Sequence, residues 1–113
     1  MKFKITQQGP VTVISLQGSV LGGPDATALN TQIHTLIEEG KKEVVLDLAG
    51  VDFMNSSGLG MLIGGASTLK GAGGRLKLAG ASEKILHLIK ITKLSPIFEH
   101  FDTVRAAVGS FHP

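Results

Sequence analysis

The chain of 113 residues contains no cysteine, no tryptophan and no tyrosine. Without cysteine there is no disulfide framework, no thiolate metal site and no cysteine nucleophile. The absence fits a reducing compartment. The aromatics are five scattered phenylalanines. Clustered cations interleaved with aromatics, the footprint of many nucleic-acid binders, are therefore missing. Eleven Lys and Arg against nine Asp and Glu leave a net charge of only +2, so direct nucleic-acid binding is not expected. The longest uncharged apolar and glycine run, Gly58 to Ala66, is too short to cross a bilayer. The opening residues Met1 to Gln8 have no apolar segment of the kind that a secretory signal needs. A soluble, cytoplasmic protein without membrane insertion is expected.

What is present points to one compact unit. Hydrophobic residues make up 42% and charged residues 18%, a balance that a disordered chain lacks. The length fits a single domain over residues 1–113, with roughly two-thirds of the unfolded surface buried.

Phe3 and Ile5 alternate with Lys2, Lys4 and Thr6, as on a half-buried edge strand. Gly9-Pro10 marks a turn, and Val11 to Leu16 reads as a second strand, antiparallel to the first. Gly18 to Pro24 breaks regular structure. Pro24 suits a helix start and Asp25 its first turn. Ala26, Leu29, Ile33, Leu36 and Ile37 then recur at helical spacing until Gly40. Val44 to Leu48 reads as a strand buried on both faces. A loop is expected over Ala49 to Asn55, a helix from Ser56 to about Lys70, and a strand over Arg75 to Ala79. Ser82 suits the N-cap of a third helix that carries Ile85, Leu88 and Ile89. Ile97-Phe98 reads as a short last strand, and Asp102 or Thr103 as the cap of a final helix with Val104, Ala107 and Val108. Strands alternating with helices imply an α/β fold on a mostly parallel sheet.

Enzyme motifs fit poorly. A nucleophile elbow needs G-x-S-x-G, but Met54 stands two residues before Ser56 and Asn55 two before Ser57. In Gly58-x-Gly60-x-x-x-Gly64 the third glycine falls one place late for a dinucleotide loop. His34, His87, His100 and His112 have no metal-ligand spacing and read as solvated surface residues. Neither catalysis, a metal nor a cofactor is expected.

The unusual segment is Asn55-Ser56-Ser57-Gly58-Leu59-Gly60, at the start of the second helix. A helix start exposes unpaired N–H groups and partial positive charge, and so holds an anion well. The plainer reading is that Asn55 or Ser56 simply caps the helix. Leu59, Leu62, Ile63, Ala66 and Leu69 fall on one side of this helix. Ser57, Met61, Gly64 and Thr68 fall on the other, with Gly60, Gly65 and Ser67 at its margins. Each helical glycine costs about 1 kcal/mol against alanine, so the glycines make sense if another backbone comes close. That backbone belongs either to a partner, with Met61 as an adaptable contact, or to a neighbouring element of the same fold.

A serine beside a smooth uncharged face suggests a switchable docking surface. A phosphoryl group on Ser56 would add about −1.5 to −2 charges, which a helix N-terminus tolerates. A partner packed over the face would have to desolvate that charge, at a cost of about 2–5 kcal/mol. This corresponds to roughly 30- to several-thousand-fold in affinity.

Val45 to Gly60, with Asn55-Ser56-Ser57-Gly58-Leu59-Gly60 at its end, resembles the signature of STAS domains, specifically the anti-sigma factor antagonists. The resemblance extends to Gly18, to Gly73-Gly74 and to Ile91-Thr92-Lys93-Leu94. It implies a single STAS domain over residues 1–113, with a mixed, mostly parallel sheet of four to five strands and about four helices mainly on one face. It also implies a partner-switching cycle. An anti-sigma factor of serine-kinase type binds the unphosphorylated antagonist and phosphorylates the first serine of the pair, here Ser56. A serine phosphatase resets the system. The partner surface implied comprises Asn55, Ser56, Ser57, Gly58, Gly60, Met61, Gly64 and Thr68. Leu21, Gly22 and Asp25 join it from the loop and helix start before them. Asn55 stands where the family often has Asp, and Asp25 is displaced from the family's G-x-L-D pattern. The alternative reading is a STAS module that is not phosphorylated, such as a transporter accessory subunit or a signalling scaffold.

Overall fold

The computed structural model describes residues 1–112. Its strands are β1 (Lys2–Gln8), β2 (Val11–Val20), β3 (Glu43–Met54), β4 (Arg75–Ala79) and β5 (Glu99–Phe101). Its helices are α1 (Pro24–Glu38), α2 (Ser56–Gly71), α3 (Glu83–Ile91) and α4 (Val104–Gly109). The five strands form one sheet in the order β1-β2-β3-β4-β5. The Gly9-Pro10 turn makes β1 antiparallel to β2, with Gln8 opposite Val11. The other three pairings are parallel, as helical crossovers require. The architecture is thus the mixed, mostly parallel sheet that the α/β pattern implies.

The register sorts the side chains to two faces. Ile14, Leu46 and Leu78 lie side by side and are buried beneath α1, α2 and α3. Burial of each such side chain contributes about 1.5–3 kcal/mol. On the opposite face Val13, Val45 and Lys77 lie side by side, and α4 covers them through Ala107 with Val104 and Val108. Three helices therefore pack on one face and the short α4 on the other.

Lys77 is the only charged residue buried among the described residues. Its Nζ donates to Ser110 Oγ at 2.8 Å, lies 3.6 Å from Glu99 Oε2 and sits 4.3 Å from the centre of the Phe111 ring. An ammonium taken from water needs such partners.

Three expectations change. The segment Ala49 to Met54, read as loop, continues β3. It pairs with β2 alone, because β4 ends opposite Asp47. The last strand is Glu99–Phe101 rather than Ile97-Phe98, because Pro96 holds Ser95–Ile97 in a 3-10 turn. His100 is not a solvated surface residue. It is half-buried, and its Nε2 accepts the Ala81 N–H at 3.1 Å. Asn55, Ser82 and Thr103 cap α2, α3 and α4.

Burial lowers the His100 pKa below its ordinary value, and the charge of Asp102 acts in the opposite direction. The direction agrees with the geometry, since an Nε2 that accepts the Ala81 N–H carries no proton. A lowered folded pKa means that the unfolded chain binds the proton first as pH falls. The His100 contribution to stability is present above about pH 6.5 and is lost as pH falls from there towards the folded pKa. Urea denaturation of the wild type and of His100→Gln, which keeps an acceptor but cannot titrate, checks this. The stability difference between the two is expected to move against the wild type as pH falls below about 6.5.

Candidate functional site

The site forms where β2 and β3 end together and α2 begins. Val20 pairs with Met54, and the chain then turns directly into the helix. Asn55 has extended backbone, and its Oδ1 accepts the Gly58 N–H at 2.8 Å. The Asn55 carbonyl accepts the first helical bond, from Leu59 N at 2.9 Å. Asn55 is therefore the cap, doing what the carboxylate of an Asp would do. Ser56 is left as the first helical residue, exposed and without a capping role.

Two glycines bring the elements together. Gly58 is buried against the Val20 carbonyl, and a Cβ there would overlap the Val20 oxygen. Gly22 has φ of 85°, a conformation natural to glycine. A Cβ on Gly22 would lie 3.1 Å from the Ser57 Cβ. The loop at Leu21-Gly22 thus packs beside Ser57, with Leu21 exposed.

Along α2 the glycines divide. Gly65 lies under Ile33 of α1, and this is packing within the fold. Gly60 and Gly64 are exposed, with no atom within 4 Å of where a Cβ would stand. Met61, expected on the open side, is buried in the core. The reason is that α2 packs against both the sheet and α1, so its inward arc is wider than one stripe. Met61 reaches the surface only as part of the floor of a groove of about 500 Å³ between α1 and α2. That groove runs from Ser57 past Gly60 and Gly64, with Thr27, Asn30 and Thr31 on the α1 side. No ionisable side chain lines it. Thr68 donates from Oγ1 to the Gly64 carbonyl at 2.9 Å and lies 3.4 Å from Asn30 Oδ1.

The structure therefore gathers Asn55, Ser56, Ser57, Gly58, Gly60, Gly64, Thr68, Leu21 and Gly22 around one end and one flank of α2. Asp25, in the first turn of α1, is half-buried, with its carboxylate 3.5 Å from the Met1 amino group. Sequence reading missed Thr27, Asn30 and Thr31. Their polar i, i+3, i+4 spacing opposite Leu29 and Ile33 was the available signal.

The family model for the STAS domain matches residues 2–107. The chain belongs to the STAS domain family. Within that family it groups with the anti-sigma factor antagonists. It is 39% identical over 83 residues to the anti-sigma-B factor antagonist of Listeria monocytogenes, covering 71% of this chain and 73% of that one. It is 35% identical over 74 residues to the anti-sigma-B factor antagonist of Bacillus subtilis, covering 66% and 67%. The fold of this STAS domain superposes on the phosphorylated form of the Bacillus cell fate determinant SpoIIAA with a TM-score of 0.75, at 22% identity, over 98% of this chain and 100% of the other.

The helix start of this STAS domain separates capping from exposure, and three substitutions test that division. Asn55→Ala is expected to lower stability by about 1 kcal/mol through loss of the cap. Ser56→Ala is expected to change it by less than about 0.5 kcal/mol. Gly58→Ala is expected to cost about 1–3 kcal/mol or more, because the Val20 backbone cannot yield easily. Urea denaturation of the three variants checks the order.

Proposed function

We propose that this STAS domain acts as a partner-switching anti-sigma factor antagonist. Unphosphorylated, it binds an anti-sigma factor of serine-kinase type and so releases a sigma factor. That kinase phosphorylates Ser56 and thereby ends the complex, and a serine phosphatase restores it. The domain is the substrate of both enzymes and catalyses nothing itself. No helix among the described residues is long and apolar enough to cross a membrane.

The observation that carries this reading is the exposure of Ser56 at the first position of α2, released from capping by Asn55. The partial positive charge of the helix start accommodates a phosphate without refolding. The uncharged groove beside it has no cation to pair with that phosphate. A partner seated over Ser56 and the groove therefore meets an unneutralised charge. The relatives named as anti-sigma-B factor antagonists support the same reading.

Gly60 and Gly64 give the partner's backbone its approach. In α2 alone each glycine is a defect of about 1 kcal/mol, so their replacement separates stability from binding. Gly60→Ala and Gly64→Ala are expected to stabilise the free domain while weakening its complex with the anti-sigma factor. Ser56→Asp is expected to weaken the complex at least about tenfold, equivalent to about 1.4 kcal/mol, and Ser56→Ala to preserve it. Calorimetric titration with the purified anti-sigma factor measures both. Unchanged affinity for the glycine variants and for Ser56→Asp would refute the proposal.

A further inference from the structure

A second surface adjoins the site and is not accounted for by phosphorylation. Because β4 ends opposite Asp47, the last residues of β3 have no strand on that side and face α3 instead. Between them lies an apolar groove of about 230 Å³, walled by Phe53, Met54, Ile85, Leu88 and Ile91. Phe53 is 56% exposed and Ile91 60%. Single exposed apolar residues are ordinary, but a contiguous set at one place marks an interaction surface.

Two features select the occupant. The groove is lined by the segment that leads into the helix start, since Asp52-Phe53-Met54 runs directly into Asn55-Ser56. The α3 side is basic. Helix α3 carries Lys84 and Lys90 against Glu83, and Lys84 stands on the groove wall with His87. Asp52 is the one acidic residue that lines it.

We propose that this groove is a second anchor for the anti-sigma factor, receiving apolar side chains flanked by carboxylates. This rests on the reading of the chain as an antagonist. Apolar anchors in a pocket supply most of the affinity in many interfaces, and rim charges act mainly on association rate. The groove thus holds the partner by contacts that a phosphate on Ser56 does not touch directly.

The test is the affinity of purified anti-sigma factor for Phe53→Ser, Ile91→Ser and Lys84→Glu. Ile97→Ser serves as the control, because Ile97 is exposed beside Ser67 and Lys70 towards the other end of α2. Thermal melts verify folding, and two independent exposed positions guard against one failing. Phe53→Ser and Ile91→Ser are expected to weaken binding at least about tenfold, Lys84→Glu to slow association at low salt, and Ile97→Ser to do neither. Wild-type affinity in both serine variants, with weakened binding in Ser56→Asp, would overturn the groove and leave the antagonist reading standing. Wild-type affinity in Ser56→Asp as well would overturn both. A wild-type dimer in sedimentation that Phe53→Ser disperses would make a second copy the occupant and overturn the proposal.

Discussion

The close approach of α2 to the end of β2 is the constraint on which the site depends. Gly58 lies against the Val20 carbonyl because it lacks a side chain. That contact sets the helix start level with the ends of β2 and β3. Asn55 then supplies its side chain to the Gly58 N–H. The same glycine is therefore both the point of contact and the recipient of the cap. Ser56 is turned outward as a consequence, and Gly22 brings the preceding loop against Ser57. The exposure of one serine follows from one position where a Cβ does not fit, Gly58, and one whose positive φ favours glycine, Gly22.

The electrostatics of that end are asymmetric. The helix start is partly positive, which favours an anion there. The flank beside it, from Gly60 and Gly64 to Thr27 and Asn30, has no ionisable side chain. On the proposed reading, a phosphate on Ser56 is compatible with the free domain and unfavourable to a partner packed across it. A difference of a few kcal/mol between the two states suffices for a switch, since each 1.4 kcal/mol is about tenfold in affinity.

Much of this was legible in the sequence because the local signals agree. The Gly9-Pro10 turn, the apolar spacing of α1 and the serine cap of α3 each match what formed. The outer half of β3 was not legible. Gly50 and Asp52 interrupt its pattern, and it is held by β2 alone, a tertiary pairing that no local run encodes. Met61 was misplaced because a helical wheel assumes one inward stripe, whereas α2 packs against two neighbours. His100 read as a surface residue by type, and the strand pattern of Arg75 to Ala79 carried no sign that Lys77 is buried. Their burial depends on Ala81 and on Ser110 with Phe111, brought close only by the folded chain.

The central claim is that Ser56 is the switch. The most direct measurement is the intact mass and phosphopeptide map of the protein purified from its own cell across growth and stress conditions. A single phosphoryl group on Ser56, varying in occupancy with condition, is the expected result. A protein that is never modified, or that carries its phosphate on Ser57 or Thr68 instead, would contradict it.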